Sequence, residues 1–131
     1  MQLPTGIKTL IVVLLASNGA TNKLSPPICN NAGSYTDVTS VGIAINHLRS
    51  RGGRTYAAPR NCAHLVCVGG AEILLCNDSD RGISPANDYL ATYAIDIDQS
   101  CTIGGGLGHP QTKGQLFDSD GYNVVVRKGN C

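Results

Sequence analysis

The chain has 131 residues, with 10 Lys and Arg against nine Asp and Glu, for a net charge of +1 at pH 7. That length suits one domain rather than two, and so even a balance offers no long-range attraction to nucleic acid or anionic lipid. With no Trp, one Phe and five Tyr, the chain also lacks the aromatic platforms that nucleic-acid and sugar sites lean on.

The N-terminus reads as an export signal. Lys8 is the only charge before Lys23, and behind it runs Thr9-Leu10-Ile11-Val12-Val13-Leu14-Leu15-Ala16, followed by small and polar residues to Ala20. A cation, a short apolar core and small side chains at a cleavage site are the parts of a signal peptide. The apolar run of about eight residues is far shorter than the roughly 20 that span a bilayer. Residues 1–20 are therefore expected to be a leader and residues 21–131 a single mature domain, secreted and not inserted in a membrane. Losing Lys8 with the leader brings the net charge to about zero.

All six cysteines, Cys29, Cys62, Cys67, Cys76, Cys101 and Cys131, lie beyond that leader. An even number in a short exported chain reads as a disulfide framework. The Cys62-x4-Cys67 spacing with Cys76 is too loose for a zinc knuckle, so no metal is expected. Six cysteines allow 15 pairings, and spacing does not choose among them.

Residues 21–34, with Pro26-Pro27, Asn30-Asn31 and Gly33, read as an irregular lead-in pinned to the body by Cys29. From there Val38, Val41, Ile45 and Leu48 recur at helical spacing, with Thr36 or Ser34 as cap, Asp37 in the first turn and Gly52-Gly53 as the stop. Ala63-His64-Leu65-Val66-Cys67 and Ala71-Glu72-Ile73-Leu74-Leu75-Cys76 then flank Gly69-Gly70, a hairpin signal. A regular two-residue turn sets Val66 opposite Ile73, Leu65 opposite Leu74, His64 opposite Leu75 and Cys67 opposite Glu72. Ser84-Pro85 predicts a second helix start, with Leu90, Tyr93, Ala94, Ile97 and Cys101 as its apolar stripe. The glycines from Gly104 to Gly108 break it. Gln115-Leu116-Phe117, a turn at Asp118–Gly121 and Tyr122-Asn123-Val124-Val125-Val126 close the chain. The expected class is α+β, two helices on a small antiparallel sheet. A first strand near Ile28 would make the order β-α-β-β-α-β, the ferredoxin-like arrangement.

Chemistry-bearing motifs are few. His47 adjoins a helical stripe, and His109 sits among glycines with nothing to orient it. In the regular register His64 and Glu72 point to opposite faces, so an acid–base couple is not expected unless the pairing slips by one residue. The glycines at 104–108 follow a helix and precede a strand, the reverse of a phosphate loop. Asp118-x-Asp120-Gly121 opens like a calcium loop but has Gly129 where the twelfth ligand belongs, and reads as a turn. Asn77-Asp78-Ser79 is an N-glycosylation sequon in a polar turn, which marks Asn77 as a glycan site. Arg49, Arg51, Arg54 and Arg60 cluster in sequence as a basic patch.

The helix ending Asn46-His47-Leu48-Arg49-Ser50-Arg51-Gly52-Gly53, the segment Ala71–Asp78 and the ending Gly121-Tyr122-Asn123-Val124-Val125-Val126 before Cys131 resemble fungal small secreted cysteine-rich proteins of the effector type. Within that class the chain is similar to secreted-in-xylem and avirulence proteins of plant-pathogenic ascomycetes, some of which resemble smut-fungus killer toxins in fold. The resemblance implies a virulence factor without catalysis or cofactor. It implies action in the host apoplast or xylem, before any entry into host cells, on a host plant protein or together with a second small effector. An antimicrobial toxin of the same architecture is one alternative, although a neutral chain lacks the basic excess of membrane-active toxins. A small ribonuclease is another, and it requires His64, Glu72 and an arginine such as Arg60 to converge in one cleft.

Overall fold

The computed structural model describes residues 22–131; the expected leader lies outside them. In chain order the elements are β1 (Thr36–Asp37), α1 (Val38–Arg51), β2 (Asn61–Val68), β3 (Ala71–Asn77), α2 (Asn87–Cys101), a 3-10 turn (Gly105–Leu107), β4 (Gln111–Thr112), β5 (Gly114–Phe117) and β6 (Tyr122–Lys128). The class is α+β as expected. Four antiparallel strands form the main sheet in the order β2-β3-β6-β5, and β1 pairs with β4 in a separate two-stranded piece.

Helix α1 forms where the apolar spacing places it. Its cap is Asp37, whose carboxylate accepts the Ser40 N–H at 3.0 Å. Thr36, one of the expected caps, is instead buried, with its hydroxyl donating to the Gly70 carbonyl at 2.9 Å. Gly52 ends the helix, its N–H reaching the Arg49 carbonyl. Helix α2 starts at Asn87, later than the Ser84-Pro85 signal suggests. Residues 84–86 are held extended, because Arg54 bridges Ala86 and its Nη1 donates to the Ser84 carbonyl at 2.8 Å. Asn87 then ties the start of α2 to the end of α1. Its side chain donates to the Gly52 carbonyl at 2.7 Å and accepts from the Thr55 hydroxyl at 2.6 Å.

Both helices pack on one face of the sheet. Val41, Ala44, Ile45 and Leu48 of α1 meet Leu90, Ala91, Tyr93, Ala94 and Ile97 of α2 over Ile73, Leu75, Leu116, Val124 and Val126. Burying each large aliphatic side chain contributes on the order of 1.5–3 kcal/mol. On the other face Leu74 and Val125 of the central strands are buried with Ala32 of the lead-in, and Glu72 and Asn123 are buried there too, while the β2 edge carries exposed residues such as His64. Alternation along β3 and β6 thus gives each strand two apolar faces of unequal depth.

The lead-in does not supply a central strand. It touches the outer edge of β5 through isolated antiparallel bridges, Lys23 to Asp118 and Ile28 to Gln115. The ferredoxin-like arrangement needs the first strand in mid-sheet, and here β6 lies beside β3 instead. The β5–β6 hairpin explains the difference, since a tight turn pairs β6 with β5 and leaves its other edge for β3. The disulfides are Cys29–Cys101, Cys62–Cys76 and Cys67–Cys131. They fasten the lead-in to the end of α2, β2 to β3, and the end of β2 to the segment after β6.

A buried polar knot closes the β5–β6 turn. Tyr93, fully buried, donates its hydroxyl to the Asp118 carboxylate, and the Tyr89 hydroxyl lies 3.0 Å away. Asp118 also accepts the Asp120 N–H at 2.7 Å, so the motif resembling a calcium loop is a turn whose first carboxylate is already spent. Burial raises the Tyr93 pKa, with the hydrogen bond to Asp118 adding to it. Burial, then the Asp118 charge, raises that of Tyr122. The folded state therefore holds protons that an unfolded phenol loses near pH 10, and its stability falls as pH rises above that value. In an ultraviolet titration Tyr93 and Tyr122 are expected to ionise only as the fold opens. Their ionisation in the intact fold would contradict the packing.

Candidate functional site

The site arises from an irregularity in the first hairpin. Gly69 and Gly70 both take positive φ, 58° and 83°, the geometry such a turn requires. Next to the turn the pairing is as expected, with Cys67 opposite Glu72 and Val66 opposite Ile73. Leu65 then bulges, and His64 pairs with Leu74 rather than Leu75. The bulge puts both Leu65 and Val66, consecutive apolar residues, into the main core. A regular strand would have turned one of them outward. Past the bulge the facing of β2 is reversed, so His64 comes to the same face as Glu72 and Leu74. The expectation that His64 and Glu72 stay apart is corrected: His64 Nδ1 lies 2.6 Å from Glu72 Oε2.

On the other side of Glu72, Arg127 is its direct partner on β6, and Arg127 Nε donates to Glu72 Oε1 at 3.2 Å. The Glu72 side chain is 9% exposed, against 71% for His64 and 41% for Arg127. A buried carboxylate is costly unless its lone pairs are taken, and here a donor serves each oxygen. A carboxylate only accepts, so the neutral His64 ring carries its proton on Nδ1 and turns Nε2 outward.

These three residues, with Cys67, Lys128, Gly129, Asn130 and Cys131, line an open cleft of about 520 Å³. The Cys67–Cys131 bridge closes one end, and Gly129 N–H bonds to the Gly70 carbonyl at 2.9 Å. A Cβ on Gly129 would come within 2.7 Å of Glu72 Cβ and 2.9 Å of Cys67 Sγ. The floor therefore requires glycine.

The remaining residues singled out from sequence lie elsewhere. His47 and His109 are exposed and do not line this cleft. Arg54 shares a concavity of about 430 Å³ with Arg81, Tyr89 and Tyr122, whereas Arg49 lines another, with Asp88 and Thr92. Arg49 and Arg54 thus belong to different surfaces, and Arg51 and Arg60 line neither of them. Arg60 takes a positive φ of 58° just before β2, and the arginine that joins His64 and Glu72 is Arg127. Asn77 is 1% exposed, and its amide donates to the carbonyls of Ala57, Ala58 and Arg81. The expectation of a glycan there is corrected, because an N-linked sugar needs that nitrogen at the surface. Among the described residues, no group of three or more His, Cys, Asp or Glu is placed to hold a metal ion, and no helix is long and apolar enough to cross a membrane.

Compared with protein-family models, curated proteins and solved structures, the chain matches none.

Arg127 and Lys128 were not legible as site residues, because they extend an apolar strand by two positions. The available signal was Glu72 itself, a lone charge inside Ala71–Cys76 that demanded partners on both neighbouring strands.

Proposed function

We propose that the chain works outside the producing cell as a non-catalytic binding protein of the effector type. It engages a host plant protein or a second small secreted protein through the His64–Arg127 cleft. The observation that carries this reading is the buried Glu72 carboxylate, which fixes an imidazole and a guanidinium side by side and faces both outward. Three disulfides hold the surrounding frame, so little ordering entropy is lost on binding. Such bridges persist in oxidising compartments, which supports action outside the cell.

One specific observation favours a second reading, a ribonuclease, since His64, Glu72 and an arginine do converge. Phosphodiester transfer, however, runs in line, with proton acceptor and donor on opposite sides of phosphorus. His64 and Glu72 are bonded to each other at 2.6 Å and stand on the same side. Binding is the chemistry this geometry favours.

Infiltration of the purified oxidised protein into host tissue tests the proposal. We expect a host response that is lost in Arg127→Gln, with no RNA cleavage by either form. Clear inhibition of fungal growth without a plant response would instead indicate a toxin, and RNA cleavage abolished by His64→Asn would indicate the nuclease.

A further inference from the structure

The two donors around Glu72 are oriented in a way that specifies a ligand. Arg127 uses only Nε to hold the carboxylate. Among the described residues its Nη1 and Nη2 groups make no hydrogen bond, and Arg127 lines the cleft, so the two parallel N–H groups at the end of its planar fork are free for a ligand there. That fork matches two oxygens of one oxyanion. His64 lines the same cleft, and its Nε2 is left free because Nδ1 is taken by Glu72.

A carboxylate would satisfy the fork and leave Nε2 idle. A phosphate monoester has a third terminal oxygen, and its second proton titrates near pH 6. Whichever partner holds that proton, one hydrogen bond forms. Neutral His64 accepts from the P–OH of the monoanion, and protonated His64 donates to the dianion. No bond is made or broken beyond this shared proton.

We propose that the His64–Glu72–Arg127 cleft is a receptor for a phosphate monoester, with Glu72 as the positioning residue that aims both donors. The proposal rests on the reading of the cleft as the binding site and names its ligand chemistry. The ester can sit on a phosphorylated side chain of a partner protein or on a small soluble metabolite.

Nuclear magnetic resonance titration of the full oxidised protein decides the matter. The probes are inorganic phosphate, phosphoserine, a phosphoserine peptide, and the same peptide with serine or glutamate in its place. The phosphorylated probes should shift the Arg127 and His64 side-chain signals, with the serine and glutamate peptides at least tenfold weaker. Arg127→Lys, which keeps the charge and loses the fork, should weaken binding about tenfold, a change of about 1.4 kcal/mol. His64→Asn alters an exposed side chain and serves as a second variant that keeps the fold; it should also weaken binding. A peptide that binds tighter than free phosphoserine assigns the ester to a protein, and equal binding assigns it to a soluble compound. Absence of any shift at millimolar phosphate, or equal affinity in all variants, overturns the proposal. If the host response then still depends on Arg127, the binding-protein reading survives without its phosphate; if that dependence is missing too, both fail.

Discussion

Asn77→Ala is expected to destabilise the protein by about 2–4 kcal/mol, because it strands several buried polar groups at once. The Asn77 amide holds the carbonyls of Ala57, Ala58 and Arg81, and its Oδ1 accepts the Ser79 N–H at 2.9 Å and hydroxyl at 2.6 Å. One side chain thus joins the end of β3 to the segment before β2 and to the turn that follows. For a domain of this size each kcal/mol moves Tm by roughly 4–8 °C, so thermal unfolding followed by circular dichroism should show a drop of about 10 °C or more. Ser79→Ala removes the same sequon but leaves the three carbonyl bonds intact, and should cost only about 0.5–1.5 kcal/mol. Equal losses in the two variants would mean that the residue matters as a glycan acceptor rather than as a buried clamp.

The second large effect concerns Cys29–Cys101, which closes a loop with a sequence separation of 72. Replacing both cysteines with alanine should cost about 4 kcal/mol on the chain-entropy account. The loss should also be local. The lead-in is otherwise tied to β5 by few backbone bonds, among them Ile28 N–H to the Gln115 carbonyl at 2.8 Å and its reciprocal at 2.9 Å. Hydrogen exchange at these two amides should accelerate far more than at β3 or β6. Removing Cys62–Cys76, which spans 14 residues between strands already paired, should cost about 3 kcal/mol and leave the lead-in protected. Unchanged exchange at Ile28 in the first variant would contradict the role given to that bridge.

Much of the fold was legible because it rests on local pattern. Val41, Ile45 and Leu48, and Leu90, Tyr93, Ala94, Ile97 and Cys101, announced two helices by spacing and are all buried. Gly69-Gly70 announced the hairpin, and Val124-Val125-Val126 a strand. What pattern could not supply was competition between elements. The start of α2 moved because Arg54 and Asn87 bind across to other segments. The strand order followed from a turn that couples β5 to β6 before the lead-in can enter. The sequon looked exposed because Asn, Asp and Ser favour turns, yet its first residue is the last of β3 and faces inward.

The candidate site illustrates the same limit at the level of one residue. A regular ladder sends His64 away from Glu72, and periodicity alone gives no reason to break it. Burial of both Leu65 and Val66 in the main core favours the bulge, and the reversal of facing that follows delivers His64 to the buried carboxylate. Core packing therefore builds the surface site, through a single displaced pair.

The most direct measurement of that claim is the tautomer of His64, read from long-range proton–nitrogen correlations in the oxidised protein. Anchored to Glu72 on the face away from the helices, the neutral ring must carry its proton on Nδ1 and leave Nε2 bare. A neutral His64 found with its proton on Nε2 and a bare Nδ1 would mean that the bulge does not bring the two residues together, and the cleft would not exist as described.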